Sequence, residues 1–279
     1  MTRILIPTDF SSNAWNAILY GLELFKGQEC VIYLSHIQVR PVFTAAESTV
    51  TSNSLELRDQ ILRDRKRNLE DLVLRIRDKG LEGKHTFATL ASSDFFVDSI
   101  KSQVEDYKID LIIMGTRGAS GLKKITLGSN TGNVITKVKC PVLVVPEDAV
   151  YEKLNEIVFP TDYQINYDLG VLEVMVGLIR KYQSNLRILH IATRSRELTA
   201  EQEKNKDLLH EYLNGAPHSF HTLRGTSIET SLQCFIESRD IQMVVMVAKN
   251  LNFLQRILFR PIVEKFSYHT EIPFLVLHE

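Results

Sequence analysis

The chain repeats itself, and that repetition restricts its fold more than any single motif. The stretch ILIPTDFSSNAWNAI from Ile4 is answered by IVFPTDYQINYDLGV from Ile157, which pairs Asp9 with Asp162. IYLSHI ending at Ile37 is answered by RILHI ending at Ile191, and IDLIIM ending at Met114 by IQMVVM ending at Met246. CPVLVV from Cys140 is matched in turn by IPFLVL from Ile272. Four matches in one order indicate two homologous modules in tandem, joined near PEDAVYEKL, and a length of 279 residues suits two domains of ordinary size. We place the modules at residues 1–147 and 153–279.

Within each copy, short runs rich in Val, Ile and Leu alternate with longer amphipathic stretches. In the first copy the runs are RILIPT from Arg3, CVIYLSHI from Cys30, HTFATL from His85, DLIIMG from Asp110 and PVLVVP from Pro141. Between the first two, Ala14, Ala17, Ile18, Gly21, Leu22 and Phe25 recur at helical spacing on one face, with Ser11 and Ser12 ahead of them to cap the first turn. From Ser54 to Lys79 a charged stretch carries Leu62, Leu69, Leu72, Val73 and Ile76 on one side, the pattern of an amphipathic helix. Such alternation predicts an α/β fold of two tandem doubly wound, Rossmann-like domains, each a parallel sheet covered by helices on both faces.

Bulk properties remove several function classes. A formal net charge of −1 does not equip the chain as a whole to coat nucleic acid or an anionic membrane. No stretch reaches the roughly 18 apolar residues of a membrane span, and MTRILIPTDF lacks the layout of a signal peptide, so the expected location is cytoplasmic. Cys30, Cys140 and Cys234 stand singly in or beside apolar runs, which predicts buried thiols rather than disulfides or a metal site.

Chemistry concentrates after the fourth run, in MGTRGASGLKKITLGSNTGNVI. An anion site at the end of a parallel strand needs a tight turn, close backbone approach and a helix N-terminus aimed at the charge. Gly115 ends the strand, Gly118 permits a turn, and Gly128 opens the last helix. Ser129 and Thr131 add hydroxyl donors, Asn130 adds an amide, and Arg117, Lys123 and Lys124 bias the loop positively. This is neither a Walker A loop nor a G-x-G-x-x-G turn after the first strand. Asp9, at the end of the first run, faces this loop if the sheet reverses between the first and fourth strands, where a carboxylate can take sugar hydroxyls. The alternative for Asp9, and for Asp162, is a purely structural cap of the helix that follows.

The run Gly115-x2-Gly118-x9-Gly128-Ser129, with PTDFS near the start and CPVLVV near the end, resembles the ATP-binding universal stress proteins. The resemblance covers nearly the whole chain as two consecutive modules. It implies a five-stranded parallel sheet of order 3-2-1-4-5 in each module, and ATP in the first, with magnesium held by the phosphates and water. It further implies Asp9 near the ribose, the backbone at Ile37 beside adenine, and Gly115, Gly118, Gly128, Ser129, Asn130 and Thr131 around ribose and phosphates. Pairing of the two modules through their fifth strands, PVLVVP against PFLVLH, is the arrangement usual in that family.

The second copy departs from the pattern. Val247, Asn250, Arg260 and Pro261 stand where Gly115, Gly118, Gly128 and Ser129 stand in the first, so side chains fill the space of close approach and a proline removes a donor. The apolar segment 251–259 that replaces the cradle either folds back onto the protein or docks a protein partner or a second copy in a homodimer. The polar segment QVRPVFTAAESTVTSNS, absent from the second copy, is either a solvent-exposed excursion or a lid over the site. Two functions remain: a nucleotide-binding stress protein that uses ATP as a regulatory or sensing ligand, with a structural or regulatory second module, or a slow ATPase or nucleotidyl transferase on the same site. The loop offers no carboxylate as a local base, which favours binding over catalysis.

Overall fold

The computed structural model describes residues 1–39, 52–116, 128–164, 168–192, 197–225, 227–248 and 272–278. Gly118, Arg117, Lys123, Lys124, most of the polar segment after Gln38, and the apolar segment 251–259 lie outside the described residues. The chain divides into two compact units. One holds the described residues up to 116 with Gly128–Cys140, and the other holds those from Pro141 onward.

In the first unit the elements run β1 (Thr2–Pro7), α1 (Ser12–Leu24), β2 (Cys30–Val39), α2 (Ser52–Asp78), β3 (Thr86–Asp94), α3 (Phe96–Tyr107), β4 (Leu111–Gly115) and α4 (Ser129–Lys137). The strands stand in the order β3-β2-β1-β4 and their registered pairings are parallel. β1 and β4 are buried along almost their whole length, as strands covered on both faces must be. The face read from the sequence of α1 is the buried one: Ala14, Ala17, Ile18, Gly21 and Leu22 pack inward, and the Ser11 hydroxyl accepts from the amide of Ala14 at 3.2 Å. In α2, Leu69, Leu72, Val73 and Ile76 are buried and Leu62 is half-buried, while the remaining described positions carry mainly exposed charge.

The second unit begins with β5 (Val142–Val145) and continues through β6 (Glu156–Pro160), a short 3-10 turn (Leu169–Leu172), α5 (Glu173–Tyr182), β7 (Asn185–Ala192), α6 (Ala200–Tyr212), β8 (His218–Arg224), α7 (Ile228–Arg239), β9 (Met243–Val247) and β10 (Phe274–Leu277). Its strand order is β5-β10-β9-β6-β7-β8. The segment β8-β7-β6-β9-β10 is therefore the expected 3-2-1-4-5 arrangement with parallel pairings. β5 lies antiparallel to β10, with Leu143 opposite Leu275, so PVLVVP and PFLVLH run side by side. The last strand of the first sequence repeat thus counts among the strands of the second unit.

One thiol differs from expectation. Cys30 and Cys140 are buried, with burial pushing the Cys140 thiol up to about 12, but Cys234 is exposed. Cys234 falls on the solvent side of α7 because its neighbours Leu232, Phe235 and Ile236 take the inward positions. Among the described residues, no helix is long and apolar enough to cross a membrane.

Three strands of the second unit, β6, β7 and β8, are tied together at their amino ends through Glu156 and Arg187. Glu156 on β6 receives two hydrogen bonds from the Arg187 guanidinium on β7, at 2.6 and 2.8 Å, and one from the Asn185 amide at 3.1 Å; Arg187 also donates to Ser219 on β8 at 2.9 Å. The arginine's hydrogen bonds hold the Glu156 carboxyl below its ordinary range. A depressed carboxylate stabilises the fold above its unfolded pKa and loses that contribution as pH falls through the folded one. Glu156→Gln is therefore expected to cost about 1–2 kcal/mol at neutral pH. Melting curves across pH check this: the gap between variant and wild type should shrink as the pH drops through the acidic range.

Candidate functional site

β1 is the centre of the first unit. It pairs with β2 on one side, Pro7 opposite Ser35, and with β4 on the other, Leu5 opposite Ile112. After β1 the chain steps outward through β2 to β3, then crosses back to place β4 on the far side of β1. The direction of winding reverses between β1 and β4, and a crevice at the carboxyl ends follows from that reversal. Carrying the registers forward sets Asp9 level with Ile37 on one side and Thr116 on the other. Asp9, Ile37, Gly115 and the start of α4 are thus brought to one edge.

The corner after β1 has a definite construction. Thr8 Oγ1 accepts from the Phe10 amide at 3.0 Å, and Asp9 Oδ1 accepts from the Ser11 amide at 3.0 Å. Phe10 sits in the left-handed region, at φ 66°, which costs a non-glycine residue about 1–2 kcal/mol. Its ring stacks on His36, with centroids 4.8 Å apart, and His36 Nδ1 donates to the Thr8 carbonyl at 2.8 Å. Burial lowers the His36 pKa, which favours the neutral ring.

The second unit builds the same corner. Thr161 Oγ1 accepts from Tyr163, Asp162 Oδ1 accepts from Gln164, Tyr163 has φ 56°, and its ring stacks on His190, whose Nδ1 lies 3.1 Å from the Thr161 carbonyl. Two side chains of α6 then hold the corner from outside: Gln202 donates to the Asp162 carbonyl and Asn205 to that of Tyr163, both at 2.8 Å. Because the corner occurs in both units, closing it is a structural duty of Asp9. Capping of α1 falls to Ser11.

The glycines divide by role. A Cβ on Gly115 would collide with Asn13 Oδ1 and stand 2.9 Å from Asn13 Cγ, so any larger residue here forces the buried Asn13 side chain to move, and packing against α1 by itself favours glycine. Asn13 is buried; its Nδ2 lies 3.5 Å from Thr116 Oγ1, and its Oδ1 has no hydrogen-bond partner among the described residues. Thr131 is also buried and spends its hydroxyl proton on the Gly115 carbonyl at 2.9 Å, holding α4 to the end of β4. Gly128 donates its amide to the Thr116 carbonyl at 2.7 Å, which joins the two residues that flank 117–127.

Gly128 is the N-cap of α4 with φ −56° and ψ 145°, a conformation open to any residue, and no side chain among the described residues caps the helix. The helices α1, α6 and α7 have Ser11, Thr199 and Ser227 bonded to a first-turn amide. At α4 the cap is a glycine, and the next two residues, Ser129 and Asn130, are exposed. Their amides belong to the first turn, which has no intrahelical acceptor. Beside this edge, a cavity of about 210 Å³ opens between α1 and α2, where the Arg75 guanidinium lies 3.9 Å over the Trp15 ring.

The sequence named Asp9, Gly115, Gly128 and Thr131 as candidates but not His36, Thr8 and Asn13, which pack or hydrogen-bond around the first two of them. His36 and His190 occupy matching places in the two copies, and that coincidence was the available signal. Thr8 and Thr161 carry the same signal. For Asn13 the signal was an amide in the first turn of a helix whose neighbouring position, Ala14, faces inward.

A two-unit chain of Rossmann-like parallel sheets, with a reversal point at the carboxyl ends of its strands, belongs to the class of doubly wound α/β proteins. Within that class the model of the universal stress protein family matches residues 1–146, and the chain belongs to that family. It is similar to universal stress protein MJ0577 of Methanocaldococcus jannaschii, 32% identical over 155 residues, which cover 51% of this chain and 93% of that protein. It is also similar to universal stress protein YxiE of Bacillus subtilis, 26% identical over 148 residues, covering 51% of this chain and 97% of that protein. The fold as a whole is shared with a universal stress protein from Archaeoglobus fulgidus, at TM-score 0.68 and 17% identity, over 99% of this chain and 96% of that one.

The division of roles between glycines is testable without any ligand. Gly115→Ala should destabilise the protein by about 1–3 kcal/mol through overpacking, and adding Asn13→Ala should recover most of the loss. Gly128→Ala should cost about 1 kcal/mol or less, since only N-cap preference is affected. Denaturant midpoints of the four proteins, measured in nucleotide-free buffer, decide between these outcomes.

Proposed function

We propose that the first unit binds an adenine nucleotide, with ATP as a regulatory ligand, and that the second unit serves a structural or regulatory role. The observation that carries this reading is the start of α4. Glycine at 128 is required neither by its backbone angles nor by a capping duty, and it gives the first turn of the helix no capping side chain, beside two exposed polar residues. What a missing Cβ allows there is close approach by a ligand, and what a helix N-terminus without a side-chain cap attracts is negative charge.

The residues present fit such a ligand. Ser129 and Asn130 offer first-turn amides and side-chain donors to phosphate oxygens. Thr131 and Asn13 act behind them, fixing the end of β4. Asp9, one oxygen of which closes its own corner, sits at the edge of β1 where a sugar would lie, and the backbone at Ile37 follows β2 to the same edge. A magnesium ion, in this reading, is held by phosphates and water. The family relationship supports the same assignment, as does the second copy, where Val247 replaces Gly115 and sequence alignment puts Arg260 and Pro261 at the positions of Gly128 and Ser129.

A ligand that binds only the folded protein stabilises it by about 2.7 kcal/mol at a hundredfold excess over Kd. Mg-ATP is expected to raise the melting temperature of the full chain, and Gly128→Glu to abolish that rise with little change in the ligand-free melt. If neither ATP, ADP nor AMP shifts melting of the wild type, the reading is wrong. Multiple-turnover phosphate release that disappears in Gly128→Glu would reassign the site to catalysis.

A further inference from the structure

The far side of the second unit carries a pair of histidines that nucleotide binding does not use. His210 lies in the last turn of α6 and His218 opens β8. The turn between helix and strand folds them together, so that His210 Nδ1 and His218 Nε2 stand 2.7 Å apart, with ring centroids at 4.9 Å. Both rings pack edge-on against Phe220, at 5.9 and 5.7 Å. We propose that His210 and His218 form a two-histidine clamp for a divalent transition-metal cation such as Zn2+ or Cu2+.

Three features point this way. His218 Nδ1 donates to the Ala216 carbonyl at 2.8 Å, which fixes the tautomer and leaves the Nε2 lone pair directed at His210. A backbone carbonyl on the second ring nitrogen is the outer partner that metal-binding histidines keep. Two nitrogens at about 2.1 Å from one ion stand roughly 3.0–3.4 Å apart, so a cation replaces the shared proton once the rings separate by about 0.3–0.7 Å and turn to bring both lone pairs onto it. His210 also belongs to the carboxyl-terminal turn of a helix, where exposed carbonyls favour positive charge.

The surroundings set the character of the site. His210 is exposed, and Asp207 one turn earlier and Glu211 beside it are exposed acids in sequence reach. Lys206, with its ammonium 5.9 Å from the Phe220 ring, is the opposing charge. Among the described residues, no group of three or more His, Cys, Asp or Glu side chains converges as a metal site. Water therefore completes the coordination sphere, which makes the ion exchangeable rather than a permanent structural centre.

The test uses the full chain after dialysis against EDTA and removal of the chelator. Zn2+ titrated by calorimetry should bind, and His210→Gln and His218→Gln should each weaken that binding by at least about tenfold. The Cu2+ complex should show two imidazole nitrogens by electron paramagnetic resonance in the wild type and one in either variant. Zn2+ binding unchanged in both variants would overturn the proposal, as would a Cu2+ spectrum of the wild type without two nitrogen ligands. Should a variant fail to fold, as judged by circular dichroism in EDTA, the wild-type Cu2+ spectrum decides alone.

Discussion

Parallel pairing of β1 on both of its edges is the constraint from which the candidate site follows. Once Pro7 lies opposite Ser35 and Leu5 opposite Ile112, the carboxyl ends of three strands meet at one edge with the winding reversed between two of them. Nothing in that arrangement depends on a ligand. It follows from two βα units stepping one way and a third crossing to the other side, each burying an apolar helix face such as Ala17, Ile18 and Gly21 against the sheet. The crevice is a by-product of burial, and the residues at its rim decide what it does.

Those residues separate into scaffold and contact. The corner of Thr8, Asp9 and Phe10, held by His36, occurs again in Thr161, Asp162, Tyr163 and His190. Each corner stores an aromatic residue in the left-handed region, offset by a stacked ring and by a hydrogen bond from the histidine to the threonine carbonyl. Such a device shapes the start of the first helix in either unit. What distinguishes the units is the end of the fourth strand, where Gly115 meets Asn13 in the first and Val247 ends β9 in the second. The corner was retained in both copies while the residue that ends the fourth strand diverged.

Much of this was legible in the sequence because burial leaves periodic traces. The strands at Arg3, Cys30, Asp110 and Pro141 announced themselves as apolar runs, and the face of α1 as a helical repeat. Asp9 and Gly115 could be located, but not the reasons for them. Gly115 reads as a ligand-driven glycine until the Asn13 side chain is found against it, since contacts between residues a hundred positions apart leave no periodicity. Cys234 read as buried because it adjoins Phe235 and Ile236, yet a single helical step turns it to solvent. The convergence of His210 and His218 was equally hidden, because eight residues of spacing say nothing about how a turn folds.

The antiparallel partnership of β5 with β10 has a consequence for biogenesis. β5 is made with the first repeat, while β10, the strand that covers its edge, is made only after the other strands of the second unit. Throughout translation of the second half, VLVV presents open amides and carbonyls, a template for mispairing between nascent chains. Splitting the gene product at its repeat boundary would leave that liability on one fragment and take from the other the strand that lies against β10.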